Sequence, residues 1–341
     1  MLERIGYEPE MARWAAAADA TLGRVARVDR GLATVLTEDG PVRAGLGGGL
    51  LGSIAHDPVA APCTGDWCVL RSWPDHRTTV ERLLPRRTAL VRATAGRTSL
   101  DQVLCANVDL AAVVVSLHPD PVMARVERLL AVARQSGARP LVVLTKADAV
   151  SDAGLVAEDV RAVAGDAEVV VTSATTGAGL DRLRDLLEGH LTMALLGASG
   201  HGKSSLVNAL VGADVLATRA IRQDGRGRHT SVRRELVLLP GGGALVDTPG
   251  LRGVGLVDAA KALDATFADI AALAAHCRFT DCTHRTEPGC AVQRALAEGA
   301  LAMGRYERWR KLTAETAEAE RRRQRRLRAQ GGGGRHRRRG R

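Results

Sequence analysis

Gly197-Ala198-Ser199-Gly200-His201-Gly202-Lys203-Ser204 is the stretch whose reading decides the fold. It fits G-x-x-x-x-G-K-[ST], the loop that wraps a phosphate. Met193-Ala194-Leu195-Leu196 before it is an apolar run suited to a buried strand, and Ser205 to Val211 after it reads as a helix. A loop between strand and helix aims backbone N–H groups and a helix N-terminus at an anion. Its glycines let the backbone close on phosphate with no Cβ in the way. Lys203 is placed for the β- and γ-phosphates and the Ser204 hydroxyl for Mg²⁺, with Ser205 completing the candidate set.

Outward from this loop the chain alternates strand and helix. Asp109 to Leu117, Pro140 to Thr145 and Ala167 to Thr172 read as buried strands. Met123, Val126, Leu129, Leu130 and Ala133 recur at helical spacing, and 151–163 and 180–187 are also helical. After the loop come a polar stretch, 218–230, and two strands, 233–239 and 243–247. The expected fold class is α/β, a mostly parallel sheet with helices on both faces.

Three strand-end segments choose the base. Asp247-Thr248-Pro249-Gly250 ends an apolar strand; Asp247 would hold Mg²⁺ through water and the Gly250 N–H would meet the γ-phosphate. In Thr145-Lys146-Ala147-Asp148 the carboxylate would accept two hydrogen bonds from a guanine edge, which adenine cannot donate. The Lys146 stem would pack on base and ribose. Ser173 and Ala174 close the next strand, where the Ala174 N–H would meet the guanine carbonyl. Each segment alone is a common turn cap. Together, at the carboxyl ends of successive strands, they form the set that binds GTP. The order is permuted: 145–148 and 172–174 precede the phosphate loop. The permutation sets 218–258, which would respond to the γ-phosphate, next to the C-terminal part of the chain.

Residues 1–18 read as a helical lead-in. From about 23 to 91, short β-like runs (23–28, 33–37, 66–70) broken by Gly, Asp and Pro suggest a small barrel of OB type. Its recurrent arginines (Arg24, Arg27, Arg43, Arg71, Arg77, Arg82, Arg86, Arg87) suit either RNA contact or an ordinary solvated surface. Cys63 and Cys68 read as core or edge thiols. The Gly runs at 45–49, 241–243 and 331–334 read as turns or linkers.

After Asp258 the chain is helical and Ala-rich, broken by Cys277-x4-Cys282-x-His284-x5-Cys290. Three thiolates and an imidazole suit a tetrahedral structural zinc, one per chain. His276 is a rival to His284, strained by its neighbour Cys277. Helix 300–329 ends in Arg321-Arg322-Arg323-Gln324-Arg325-Arg326-Leu327-Arg328, nearly free of acids and suited to phosphate backbones. The tail 331–341 is too polar to build a core and is expected to be disordered.

The 341 residues carry a formal net charge of +10, which favours nucleic acid as partner over a membrane surface. Aromatics are 2%, which argues against extensive base stacking. The N-terminus lacks an apolar signal region and no segment is long enough to span a bilayer, so a cytoplasmic protein, monomeric and off the membrane, is expected. The cysteines then read as thiols or ligands rather than disulfides.

The chain resembles the ribosome small-subunit-dependent GTPase family known as RsgA or YjeQ. The likeness rests on Gln102 to Asp109 (QVLCANVD), the permuted order, Gly225-Arg226-Gly227-Arg228-His229-Thr230, and the Cys/His spacing with Glu287-Pro288-Gly289-Cys290. It spans nearly the whole chain. It implies an OB barrel (1–91), a permuted GTPase domain (92–258), a helical zinc domain (259–330) and a basic tail. It also implies hydrolysis of GTP to GDP, stimulated by the small ribosomal subunit and its rRNA, late in maturation of that subunit. A GTP-gated rRNA-binding factor and a large-subunit assembly GTPase are the alternatives. Two departures stand out: Thr145 occupies the position of the commoner Asn, which would loosen the nucleotide, and 219–225 follows the family only in character. Leu251 after Gly250 cannot orient water, so unassisted turnover should be slow. His229 is the candidate to replace that function, or else contacts RNA; Thr230 would ligate Mg²⁺, and Lys203 would stabilise phosphate charge.

Overall fold

The computed structural model describes residues 1–15, 20–92, 102–216, 234–248 and 259–332. The chain divides into two compact units, Met1–Val254 and Gly255–Arg341.

The first unit opens with 3-10 helices at Leu2–Ile5 and Pro9–Ala15, within the stretch read as a helical lead-in. A barrel follows, built from β1 (Ala20–Asp29), β2 (Leu32–Thr37), β3 (Gly40–Leu46), β4 (Trp67–Ser72) and β5 (Thr78–Leu83), with α1 (Gly48–His56) between β3 and β4. The strands close in the order β1-β2-β3-β5-β4. Val25, Ala33, Val35, Ala44, Cys68, Leu70 and Val80 fill it, and Leu50 of α1 joins that core. Helix α1 is the first departure from the sequence reading. Gly48 and Gly49 lie in its first turn rather than in a linker, because Leu50 and Ile54, four apart, give it a face to bury.

The barrel arginines also divide. Arg24 is 2% exposed and donates to the carbonyls of Ile5, Gly65 and Asn107 and to Thr192 Oγ1. Arg86 forks onto Asp66 at 2.7 and 2.8 Å and also donates to the Val59 and Ala61 carbonyls. Both hold the barrel together and tie it to its surroundings. Arg71, Arg77 and Arg82 are exposed.

A two-stranded ribbon, β6 (Ala89–Arg92) with β7 (Gln102–Ala106), leads into the central sheet. In chain order this contains β8 (Leu110–Ser116), α2 (Met123–Gln135), β9 (Arg139–Thr145), α3 (Ala153–Ala164), β10 (Glu168–Val171), α4 (Leu180–Asp185), β11 (Thr192–Leu196), α5 (Lys203–Val211), β12 (Glu235–Leu238) and β13 (Ala244–Asp247). The strand order is β10-β9-β8-β11-β13-β12, parallel except for β12 against β13. Strand β8 is buried at every position, as expected of a strand covered on both faces. Leu110, Ala112 and Val114 share one core with Leu183 of α4 and Leu206 and Leu210 of α5. The alternate residues Ala111, Val113 and Val115 face the other way, on the side where α2 packs against β8. The chain runs outward from β8 to β10, then returns to place β11 on the other side of β8. Such a reversal opens a crevice at the carboxyl ends of the strands.

The second unit holds α6 (Ala260–Thr266), α7 (Ala268–Ala274), α8 (Ala291–Ala297) and α9 (Met303–Gly332). Helix α9 runs through Gly331 and Gly332, both read from the sequence as linker. Arg305 of α9 pairs with Asp269 at 2.9 Å and lies over the Phe267 ring.

Candidate active site

Register alone brings the sequence-predicted segments to one edge. Leu196 pairs with Val113, Leu195 with Asp247, Ser116 with Thr145, and Val171 with Leu144. The phosphate loop, Asp247, the 145–148 turn and the 172–174 segment therefore leave the sheet side by side at its carboxyl end.

The loop Gly197–Gly202 joins β11 to α5. A Cβ on Gly197 would fall 2.4 Å from the Val114 carbonyl oxygen, so only glycine lets the loop start so close to β8. Gly200 and Gly202 hold φ of 85° and 80°. The curl turns its N–H groups and the start of α5 inward. Lys203 is 7% exposed; its Nζ donates to the carbonyls of Gly197 at 2.9 Å and Ala198 at 3.0 Å, which holds the ammonium within the curl. Ser204 and Ser205 follow in the first turn of α5, partly buried.

Asp247 ends β13 beside this loop. Its Oδ1 is buried and has no hydrogen-bond partner among the described residues. Burial raises its pKa and the Lys203 charge lowers it, while burial lowers the Lys203 pKa. An unpartnered buried carboxylate oxygen beside a hydroxyl-bearing phosphate loop fits the hydrated divalent cation that accompanies a nucleoside triphosphate. The next residue, Thr248, fixes the strand end by donating from its hydroxyl to the Leu195 carbonyl.

The 145–148 turn is equally constrained. Lys146 sits in the left-handed region at φ 61°, and the Ala147 N–H donates to the Thr172 carbonyl at 3.1 Å. Ser173 Oγ donates to Asp148 Oδ1 and accepts from the Thr176 N–H at 3.1 Å. The serine bond holds the Asp148 carboxyl below its ordinary pKa, keeping it ionised as an acceptor. Ala174 is the next residue of that segment. Sequence reasoning assigned Ser173 to the site without its part in orienting Asp148; a hydroxyl at the end of the strand beside an acid-bearing turn was the available signal.

Thr145 makes a contact that its residue type did not foretell. Its hydroxyl donates to the His201 carbonyl at 2.8 Å, joining the end of β9 to the phosphate loop. His201, half-buried, lies with Nδ1 3.1 Å from the Val114 carbonyl oxygen. His229, Thr230, Gly250, Leu251 and the stretch 219–225 lie outside the described residues.

In the second unit, Cys277, Cys282, His284 and Cys290 bring their ligand atoms within 4.8 Å of one another. His276 belongs to no metal-competent group among the described residues. Nδ1 is the His284 nitrogen that faces the thiols, 3.4 Å from Cys277 Sγ and 3.6 Å from Cys290 Sγ. His284 adopts φ 57°. Its carbonyl accepts from Gln293 Nε2 at 2.6 Å and from the Tyr306 hydroxyl, and the Trp309 ring lies 5.6 Å from the imidazole. Sequence reading missed these supporting residues, which come from other helices. Glu287 accepts from the Thr283, Arg285 and Thr286 N–H groups and organises the loop between the ligands. Three thiols and one imidazole are the donor set zinc takes in a closed structural site.

A parallel sheet with a phosphate loop at its reversal point, a strand-end acid beside it and a serine-oriented carboxylate on a neighbouring strand-end turn is the arrangement of a P-loop nucleoside triphosphatase. A model of the RsgA GTPase family matches residues 83–257. The small ribosomal subunit biogenesis GTPase RsgA of Streptomyces coelicolor is 51% identical over 297 residues, covering 86% of this chain and 80% of that one. The protein of the same name from Methanosarcina acetivorans is 40% identical over 295 residues, covering 86% and 79%. Among solved structures, YjeQ from Thermotoga maritima superposes with a TM-score of 0.65 at 25% identity, covering 87% of this chain and 99% of that one. YloQ, a circularly permuted GTPase, matches in fold with a TM-score of 0.61 at 23% identity, covering 89% and 98%. The chain belongs to the RsgA GTPase family and is a GTP hydrolase.

Proposed function

We propose that this GTPase binds the small ribosomal subunit through rRNA and hydrolyses GTP late in that subunit's maturation. The observation that carries the reading is the convergence, on one sheet edge, of the phosphate loop, the unpartnered Asp247 oxygen and the Ser173-held Asp148. The biogenesis role of the named relatives supports the choice of partner.

Gly197, Ala198, Ser199, Gly200, His201, Gly202, Lys203, Ser204 and Ser205 hold the phosphates. Ser204, Thr230 and Asp247 hold Mg²⁺, and Gly250 senses the γ-phosphate. Lys203 would stabilise charge on the transferring phosphoryl group, and Asp247 would help to hold the cation, which would supply further charge stabilisation there. Thr145, Lys146, Asp148, Ser173 and Ala174 select guanine. His229 takes the water-orienting part that Leu251 cannot play. Cys277, Cys282, His284 and Cys290 bind one structural zinc. The Arg-rich end of α9 and the exposed barrel arginines contact RNA phosphates, giving affinity without sequence specificity. The four regions are a barrel (1–91), a permuted GTPase domain (92–258), a zinc domain (259–330) and a basic tail. Among the described residues no helix is long and apolar enough to cross a membrane. A cytoplasmic monomer fits a ribosomal partner. Co-sedimentation with purified small and large subunits, in the presence of a non-hydrolysable GTP analogue, tests this. Recovery with small subunits alone is expected; preferential recovery with large subunits would overturn the choice of partner.

A further inference from the structure

We infer that the barrel and the N-terminal turn position Asp247, through Arg27 and Arg4, which grip the β12–β13 hairpin at its two ends. The inference rests on the assignment of Asp247 to Mg²⁺. It puts part of the cation's support outside the nucleotide-binding loops, on the domain read as facing RNA.

Of the strands around the site, β12 has the least support of its own. It is four residues long and lies at the edge of the described sheet, hydrogen-bonded to β13 on one side. A short edge strand offers backbone groups without a ladder partner and opens more easily than the strands inside a sheet. Asp247 sits at the open end of this hairpin, opposite Glu235 in register. Directly opposed residues of an antiparallel pair share a face, with Cβ atoms about 4.5–5.5 Å apart. Where Glu235 is held therefore bears on Asp247 first.

The barrel holds Glu235. Strand β1 packs along β12. The Nη1 of Arg27, on β1, lies 3.7 Å from Glu235 Oε1. The Nε of Arg27 donates to Asp29 Oδ2 at 3.3 Å, and the same oxygen accepts from Arg43 Nη1 at 2.7 Å, so the guanidinium is steadied from the barrel side. One residue earlier in the hairpin strand, the Arg234 carbonyl accepts from the Thr64 hydroxyl at 3.4 Å. Both partners, Arg27 and Thr64, belong to the barrel region.

The N-terminal turn holds the other end. The Arg4 guanidinium donates to the Pro240 carbonyl at 2.6 Å and the Leu239 carbonyl at 3.5 Å, and the Arg4 carbonyl accepts from the Gly243 N–H at 2.8 Å. Ile5, the next residue, is fully buried, and its carbonyl accepts from Arg24 of β1. The hairpin turn is thus tied to a segment that is itself tied to the barrel. His190 closes in from a third side: a Cβ on Gly242 would fall 2.3 Å from its Nδ1. With both ends gripped, β12 keeps its register on β13, and Asp247 keeps the place in which its Oδ1 meets no other group among the described residues.

The test reads how the affinity of the full chain for a non-hydrolysable GTP analogue depends on Mg²⁺, as equilibrium dissociation constants over a Mg²⁺ series and in EDTA. Arg27→Gln should raise the Mg²⁺ concentration at half effect about two- to fivefold, the scale of a partly exposed ion pair. It should leave the affinity in EDTA unchanged. Charge alone predicts the opposite sign, since loss of a cationic side chain near the site favours a cation. Arg4→Gln acts at the far end of a four-residue strand, about 13 Å away, and should shift the midpoint in the same direction. Arg27→Glu combined with Glu235→Arg keeps both the net charge and the pair, and should return the midpoint toward wild type. A general loss of stability would instead weaken the nucleotide equally with and without Mg²⁺ and would appear in thermal melts. Amide hydrogen exchange of 244–248, in protein free of nucleotide and metal, supplies a second readout: faster exchange is expected in Arg27→Gln and Arg4→Gln. A midpoint unchanged or lowered in folded Arg27→Gln would overturn the positioning. Wild-type Mg²⁺ dependence in Asp247→Asn would instead overturn the assignment of Asp247 on which the positioning stands.

Discussion

Asp247 Oδ1 is buried with no partner among the described residues, an arrangement that costs a folded protein about 1–3 kcal/mol. Burial raises the pKa of this carboxyl, so its ionised form opposes folding at every pH above the folded value, and the Lys203 charge offsets part of this. Asp247→Asn should therefore leave the melting temperature of the nucleotide-free protein equal or higher, while removing the Mg²⁺-dependent part of GTP affinity. A lowered melting temperature with unchanged Mg²⁺ dependence would take Asp247 out of the site. Asp148 shows the opposite electrostatics: the Ser173 hydroxyl stabilises its charge, so it stays an acceptor through the neutral range. Asp148→Asn exchanges that acceptor for a donor. It should weaken GTP about 10–100-fold and admit xanthine nucleotides, measured as equilibrium dissociation constants for both. Undiminished preference for GTP would refute the guanine assignment. Asp148 and Asp247 were both legible in the sequence, because Asp247 ends an apolar run and Asp148 lies in the turn that follows one. What was not legible is the register that sets Asp247 beside Leu195, or the hydroxyl that orients Asp148.

At the scale of elements, the barrel depends on an ion pair that looks in the sequence like surface charge. Asp66 is 0% exposed and receives both arms of Arg86 as well as the Cys63 N–H at 2.8 Å. Arg86→Ala would leave that carboxylate buried and uncompensated, at a cost of about 3–5 kcal/mol. Denaturant unfolding should show the loss, and Arg86→Lys should recover only part of it, since a single ammonium cannot span both oxygens. A change under about 1 kcal/mol would mean that water reaches Asp66. Spacing along one chain cannot tell such an arginine from an exposed one, and Arg24 and Arg86 were read alongside Arg71 and Arg82 for that reason. The strands of the central sheet were legible for the converse reason: β8, β9 and β11 are apolar runs that only burial on both faces explains. Helix α1 was not, since three successive glycines argue against helix locally while Leu50 in the barrel core overrides them.

At the scale of the molecule, permutation changes what the nucleotide is connected to. The 145–148 and 172–174 segments lie ahead of the phosphate loop, and the segments that follow the loop lead along the chain to the Cys/His cluster and the Arg-rich helix α9. The expected consequence is an enzyme that is slow alone and fast on the particle its basic surfaces recognise. GTP hydrolysis by the full chain, followed under multiple turnover as phosphate release with purified small subunits, with large subunits, and with neither, tests this most directly. The expected result is a rate increase of several orders of magnitude, on the scale that a trans-acting partner gives other GTPases (about 10³–10⁵-fold), with small subunits only. A rate unchanged by small subunits, or raised equally by large ones, would contradict it.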